Sequence, residues 1–297
     1  MSAGVVTVVN EWIQTTDKND IYTKTWKTTA SPIANLVMVH GFGEHSGRYD
    51  RLFSFFATQG IECHAYDQRG WGETGKKSSQ FGNNQGYDTA LKDIDDAVLT
   101  HKRQDIPLFL MGHSMGGGLI LNYLARGHVY KGVELLAGAI ASAPLVTLSM
   151  QIPAIKYYPM RALAAIVPSM TIQAGVDSAG ISHDQAEVQK YLDDPLVHDF
   201  ATLATLRSFI DAGTDLLVQA KAIQTPILYS HADSDPINSF QGCKSAYEIT
   251  SSEDKELKNW TGLYHELHNE TMPQRQQVAE YYVAWIKKRC PHVKHRP

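Results

Sequence analysis

Cysteine is scarce in this chain: Cys63, Cys243 and Cys290 are all it has in 297 residues. Three scattered cysteines build neither a disulfide framework nor a thiolate zinc site, and they read as reduced thiols of a cytoplasmic protein. No run of about 18 uncharged apolar residues occurs either, so no helix is expected to span a bilayer. The first residues, MSAGVVTVVNEW, lack the charged start and long apolar core of a secretory signal. Basic charge is also in short supply. The net charge is −4 and no Lys/Arg cluster falls on an expected helix face, which excludes the electrostatic footprint of a nucleic-acid binder. The mildly basic stretch His292, Lys294, His295 and Arg296 reads as a frayed end. What is present, 43% hydrophobic and 20% charged residues, suits a globular protein with a substantial core.

Short apolar runs alternate with helical spacing along most of the chain. Residues 5–14 and 20–28 alternate around Thr16-Asp17-Lys18-Asn19, which predicts a hairpin at a sheet edge. Asn35 to Val39, Ile61 to Tyr66, Leu108 to Met111 and Gly138 to Ala143 are runs of the fully buried strand type. Between them, Arg48 to Thr58 reads as a helix with Leu52, Phe55 and Phe56 on one face, and Leu91, Ile94, Val98 and Leu99 mark a second. This alternation predicts an α/β fold with a mostly parallel sheet and helices on both faces. From Pro144 to Thr225 the pattern breaks, with Pro153, Pro159, Pro168 and Pro195 punctuating short pieces. Regularity returns with the strands Pro226 to His231 and Lys255 to Trp260 and a helix from about Gln274 to Lys288. About 80 residues without sheet do not form a plain loop in a compact domain. Residues 1–143 and 226–297 therefore read as a core, and 144–225 as a helical cap inserted after the sixth strand. Such a cap stands over the C-terminal strand ends, where open α/β sheets bind ligands.

Within this frame, GHSMG at 112–116 is a G-x-S-x-G elbow with a strand before it and the apolar stretch Leu119 to Ala125 after it. Gly112 and Gly116 leave room for the tight turn, and Ser114 is the candidate nucleophile, lifted above the sheet at a helix N-terminus. A serine hydroxyl needs a base oriented by an acid, and in this sheet type the order along the chain is serine, acid, histidine. Following ILYSH, Asp235 fits the short reach from strand to loop, with Asp233 as the alternative. After the last strand, His265 comes first and fits the base, with His268 as the competitor. The two histidines stand at i and i+3 rather than the i and i+4 of an H-E-x-x-H zinc site, so no metal is expected, and no cofactor is needed. The backbone amides of Met115, which follows the nucleophile, and of Phe42 in the His40-Gly41-Phe42 loop are the candidate oxyanion donors.

Taken together, HGFGEHSGRY at 40–49, DQRGWGETG at 67–75, GHSMGGG at 112–118, HADSDPIN at 231–238 and YHELHNE at 264–270 resemble the monoacylglycerol lipases, particularly fungal ones. The resemblance covers nearly the whole chain and is weakest in the cap. It implies an α/β-hydrolase fold, a Ser114–Asp235–His265 triad, and release of a fatty acid from a monoglyceride. It also implies glycerol-site roles for Glu44, Arg48, Tyr191 and His268. Cysteines that confer inhibitor sensitivity on mammalian members have no clear counterpart, since Cys243 lies eight residues past Asp235.

A monoacylglycerol substrate asks for a small polar end and a long apolar tunnel. The stretch Met150, Ile152, Ile155, Tyr157, Tyr158, Met160, Leu163, Ile166 and Val167 suits either the tunnel or the cap's own packing. A partly exposed apolar cap also predicts peripheral contact with a membrane or lipid-droplet surface. Two rivals stand beside this expectation. One is a lysophospholipase or general esterase of the same fold; a phosphate head group favours more cations near Arg48 than the sequence offers. A non-catalytic receptor keeps the cavity without the chemistry, yet all three triad residue types are present here.

Overall fold

A computed structural model of the protein describes residues 6–150 and 153–290; Ile152 and the basic tail at 292–296 fall outside the described residues. The N-terminal alternation forms a hairpin of β1 (Thr7–Gln14) and β2 (Asp20–Lys27). Then come β3 (Ala34–Val39), α1 (Asp50–Thr58), β4 (Ile61–Tyr66), α2 (Gly72–Ser78), α3 (Tyr87–His101), β5 (Leu108–His113), α4 (Met115–Ala125) and β6 (Leu136–Ser142). The insertion carries α5 (Ala154–Ile166), β7 (Thr171–Gln173), α6 (Gln185–Asp193), β8 (Phe200–Thr202) and α7 (Leu203–Gln219). After it follow β9 (Ile227–Ala232), α8 (Phe240–Ile249), β10 (Lys255–Trp260) and α9 (Gln274–Lys288).

Eight strands make one sheet in the order β1-β2-β4-β3-β5-β6-β9-β10. β2 pairs antiparallel with β1 and β4, and every other neighbour is parallel. The apolar runs dictate this. β3, β4, β5 and β9 are buried along their whole length, as parallel strands covered on both faces must be. On one face lie Leu91 and Ile94 of α3 with Ile120 and Tyr123 of α4; on the other, Phe53 and Phe56 of α1 with Tyr282 and Ile286 of α9. The arrangement is the α/β-hydrolase fold, with a helical insertion after β6, as expected.

Three details depart from the expectation. The insertion is not free of sheet: β7 and β8 pair antiparallel in a two-stranded ribbon, each too short at three residues to leave a periodic signal. Leu99 is 45% exposed, because one step past the buried Val98 turns the α3 face by 100°. And Met150, Ile155, Tyr158 and Ile166 point outward at 67–83% exposure instead of lining a tunnel or packing within the cap. The last helix of the insertion, α7, is different in kind. It buries Phe209, Ala212 and Leu216, and the Asn122 side chain of α4 donates to its Ala212 carbonyl at 3.3 Å.

Candidate active site

At the end of β5 the chain reverses so sharply that side chains cannot be accommodated on both sides of the turn. A Cβ on Gly116 stands 2.1 Å from the Val39 carbonyl oxygen, and one on Gly112 stands 2.3 Å from that of Gly116. Ser114, between them, is held at φ 54°, ψ −119°, a conformation costly for any residue with a side chain. Its surroundings enforce it: the Ser114 amide donates to Ser142, and its carbonyl accepts from Gly118 and Leu145, all at 2.8–3.0 Å. The hydroxyl emerges at the N-terminus of α4, which is buried from Met115 to Ala125.

Asp235 stands three residues beyond β9. Its Oδ1 accepts from the Ile237 and Asn238 amides at 2.8 and 3.0 Å. Its Oδ2 faces two imidazoles, His265 Nδ1 at 2.7 Å and His231 Nε2 at 3.0 Å. Burial pushes this carboxyl up, but the two histidines and the amides outweigh burial and hold it below the usual carboxylate value. A carboxylate only accepts, so His265 carries its proton on Nδ1 and leaves Nε2 with the lone pair, the tautomer a general base requires. Burial depresses the His265 imidazole and Asp235 raises it, with Glu266 and Glu44 adding to the rise; the net displacement is upward. Asp233, the alternative acid, instead binds the exposed Gly262 amide and the Asn259 side chain.

Ser114 and His265 line one cleft, which with its mouth holds about 380 Å³ of empty space. No direct hydrogen bond joins them in this resting arrangement; the Ser114 hydroxyl instead accepts from Asn238 Nδ2 at 3.4 Å. Among the described residues neither the Phe42 nor the Met115 amide donates to a protein acceptor, which leaves both able to serve an oxyanion. Phe42, Val176, Ile181 and Ile237 supply apolar wall, so the insertion's share comes from Val176, Ile181 and Tyr191 rather than from α5.

The polar end of the cleft is a buried ion network. Glu44 Oε1 accepts from the Gly41 amide at 2.6 Å and the Tyr49 hydroxyl at 2.7 Å, and its Oε2 takes Arg48 Nη1 at 3.1 Å. Arg48 also makes a two-armed pair with Glu266, and its guanidinium carbon lies 4.8 Å from the centre of the Tyr191 ring. His268 is not in the cleft wall. It lies behind it, stacked on Tyr49 at 4.9 Å and edge-on to His113 at 5.2 Å. Burial and the neighbouring His113 push its imidazole down to about 3.

The loop that carries Phe42 is tied to the insertion by His198 N donating to the Gly43 carbonyl at 3.0 Å and by His45 Nε2 meeting Asp194 at 2.9 Å. Glu266, His231 and Asn238 escape reasoning from sequence. His231 and Asn238 sit within the HADSDPIN string, and Glu266 between the two candidate histidines, but no spacing rule distinguishes them from ordinary loop residues.

Comparison with known proteins agrees with this fold. The model of the family described as "Serine aminopeptidase, S33" matches residues 30–272. An uncharacterized abhydrolase domain-containing protein of Dictyostelium discoideum is 36% identical over 94% of this chain, which spans only 29% of that protein's length. The monoglyceride lipase of Saccharomyces cerevisiae is 31% identical over 78% of this chain and 77% of its own. Among solved structures, a soluble variant of the Saccharomyces cerevisiae monoglyceride lipase in complex with a substrate analog superposes with a TM-score of 0.82. It is 26% identical, and the match covers 97% of this chain and 99% of that one.

Proposed function

The chain belongs to the serine aminopeptidase, S33 family of α/β-hydrolases, and from that premise we propose that it hydrolyses monoacylglycerols to fatty acid and glycerol. It is a serine hydrolase related to monoglyceride lipases. One observation carries the substrate reading: a single cleft joins Ser114 and the His265–Asp235 pair to a compact end built of Glu44, Arg48 and Tyr191. That end suits the small, uncharged, hydroxyl-rich alcohol of a monoglyceride.

In the proposed reaction, rotation of the Ser114 side chain away from Asn238 brings its hydroxyl to His265 Nε2. His265 takes the proton as Ser114 attacks the ester carbonyl. Asp235 orients the imidazole and stabilises its charged form. The Phe42 and Met115 amides hold the oxyanion, and glycerol departs with the proton from His265. Water then repeats the sequence on the acyl-enzyme. Glu44, Arg48 and Tyr191 bound the space that the glycerol fills, with His268 supporting Tyr49 from behind. Exposed apolar residues of α5 serve as the contact with a lipid surface.

The test is a rate comparison of monoolein, lysophosphatidylcholine and an aminoacyl anilide, with fluorophosphonate labelling of Ser114 as the control for catalytic competence. Monoolein is expected to turn over fastest. Faster turnover of either other substrate overturns the substrate assignment, and absence of label on folded protein overturns catalysis itself.

A further inference from the structure

Glu266 has no part in the reaction above, yet it is 3% exposed, lines the cleft and follows the candidate base directly in the chain. Its two oxygens take both arms of the Arg48 fork, Nη1 at 2.5 Å and Nη2 at 2.8 Å. Nη1 is shared with Glu44 Oε2 at 3.1 Å. Asn269 Nδ2 donates to Glu266 Oε2 at 2.8 Å and fixes the carboxylate from behind. The Glu266 amide donates to the Ile181 carbonyl at 2.7 Å, which anchors its backbone to the insertion. The clamp is thus held from both sides.

The charges of the cleft wall follow. Arg48 is its one lysine or arginine, set against two carboxylates, Glu44 and Glu266, so the polar end carries a net negative charge. His113 adds no positive charge, because burial and the adjacent His265 push its imidazole down to about 3. A guanidinium with an open fork binds phosphate through two parallel hydrogen bonds. Here the Nη1–Nη2 fork is filled, and the group that fills it repels a second anion across a poorly screened interior.

We propose that Glu266 is a specificity-determining residue: by clamping Arg48 it denies the guanidinium to a phosphate and restricts the site to esters of uncharged alcohols. The proposal rests on reading the cleft as an ester-hydrolase site with a glycerol-type leaving group, and it adds the rule for head-group charge. Rejection by an unfavourable charge is a recurring source of specificity.

The test uses ether lipids that have no ester to cleave. Octylglycerol ether and its glycerol phosphate counterpart are titrated as competitive inhibitors of p-nitrophenyl butyrate hydrolysis by the full chain. The wild type is expected to bind the uncharged ether at least about tenfold more tightly than the phosphate. Glu266→Gln is expected to move that ratio about tenfold or more toward phosphate, and the Arg48→Gln/Glu266→Gln double variant to lose the gain. Equal binding of the two ethers by the wild type, or a ratio that E266Q leaves unchanged, overturns the proposal. The wild-type arm needs no substitution, so equal binding there overturns the proposal even where a variant fails to fold. Monoolein turnover is followed in parallel. A wild type inert toward monoolein whose ratio E266Q still reverses refutes the substrate reading and keeps the charge rule; the opposite pair refutes the charge rule alone.

Discussion

Ile140 and Leu228, in the central strands, are shut off from solvent, whereas Ile155 and Ile166 on α5 are 83% and 78% exposed. The same kind of apolar side chain is doing two different things. In the sheet it drives burial, and every strand beside β5 depends on its neighbours' side chains. On α5 it stays in water, at a cost that packing within the protein does not offset. The reacting groups follow the same division. Ser114, Asp235 and His265 come from turns and loops that follow strands of the sheet, while the insertion supplies walls and an aromatic face in Val176, Ile181 and Tyr191. Precision belongs to the core, and adaptable surface to the insertion.

Substitution on each side of that boundary tests it most severely. Ser114→Ala is expected to lower kcat by on the order of 10⁴ or more while leaving the melting temperature nearly unchanged. Tyr191→Phe, from the insertion, is expected to cost no more than about tenfold, mainly in KM, because its hydroxyl makes no hydrogen bond to Ser114, His265 or Asp235 and the ring that faces Arg48 is kept. Steady-state kinetics on monoolein and circular-dichroism melting measure both. A Tyr191→Phe loss as large as that of Ser114→Ala erases the distinction.

Backbone tolerance gives the next largest contrast. Ala at Gly116 places its Cβ 2.1 Å from the Val39 oxygen, a main-chain clash with no flexible group to yield. The expected cost is on the order of 3 kcal/mol or more, and a melting temperature lower by roughly 8 °C or more. Gly175 has φ +71° but nothing within 4 Å of an added Cβ. Gly175→Ala therefore costs only the left-handed backbone penalty, about 1–2 kcal/mol, and shifts the melting temperature by only a few degrees. Similar losses at the two glycines contradict the division.

The same division sets what the sequence reveals. Burial on both faces forces apolar runs, so β3, β4, β5 and β9 can be read almost to the residue. The elbow is legible because its five-residue pattern is local and sits between a strand and a helix, although the contact that requires Gly116 is with Val39, far away in the chain. Asp235 and His265 follow from topology, since the fold fixes which strand ends meet. The short helix α2, which begins inside the glycine-rich 70–75 stretch, leaves no strong periodic mark. The β7–β8 ribbon and the Arg48–Glu266 pair, 218 residues apart, depend on tertiary contacts that no local pattern encodes.

Acid should act on the core. Burial, as the first cause in each, pushes His64 to about 2, His113 and His268 to about 3, and His231 to about 4. Unfolded, these imidazoles take up protons below about pH 6.5. The unfolded state thus binds more protons across the window from about 6.5 down to the folded values, and stability falls as pH falls. His265, displaced upward, has the opposite sign: its contribution is present below about pH 6.5 and is lost as pH rises through its folded value. His40, His101 and His198 are displaced downward too, so the single opposing group is outweighed and the melting temperature should drop by roughly 5 °C or more between pH 7 and pH 5. A flat profile means that the buried histidines find proton acceptors on the way down.

The smallest effect expected on the fold is at the exposed face of α5, and it is the one that gives that face a purpose. Ile155→Ser with Ile166→Ser removes two side chains that bury little, so stability should change by no more than about 0.5 kcal/mol per site. Were these residues ordinary surface, catalysis would be equally indifferent. A lipid-docking face makes a different demand, because partition into an interface scales with apolar area, about 25 cal/mol for each Å² removed from water. The double variant should therefore bind phosphatidylcholine vesicles and turn over emulsified monoolein several-fold less well, yet hydrolyse dissolved p-nitrophenyl butyrate at the wild-type rate. Equal loss on both substrates would place the defect in the cleft and not on the surface. Loss on neither leaves the outward isoleucines without a lipid-binding role.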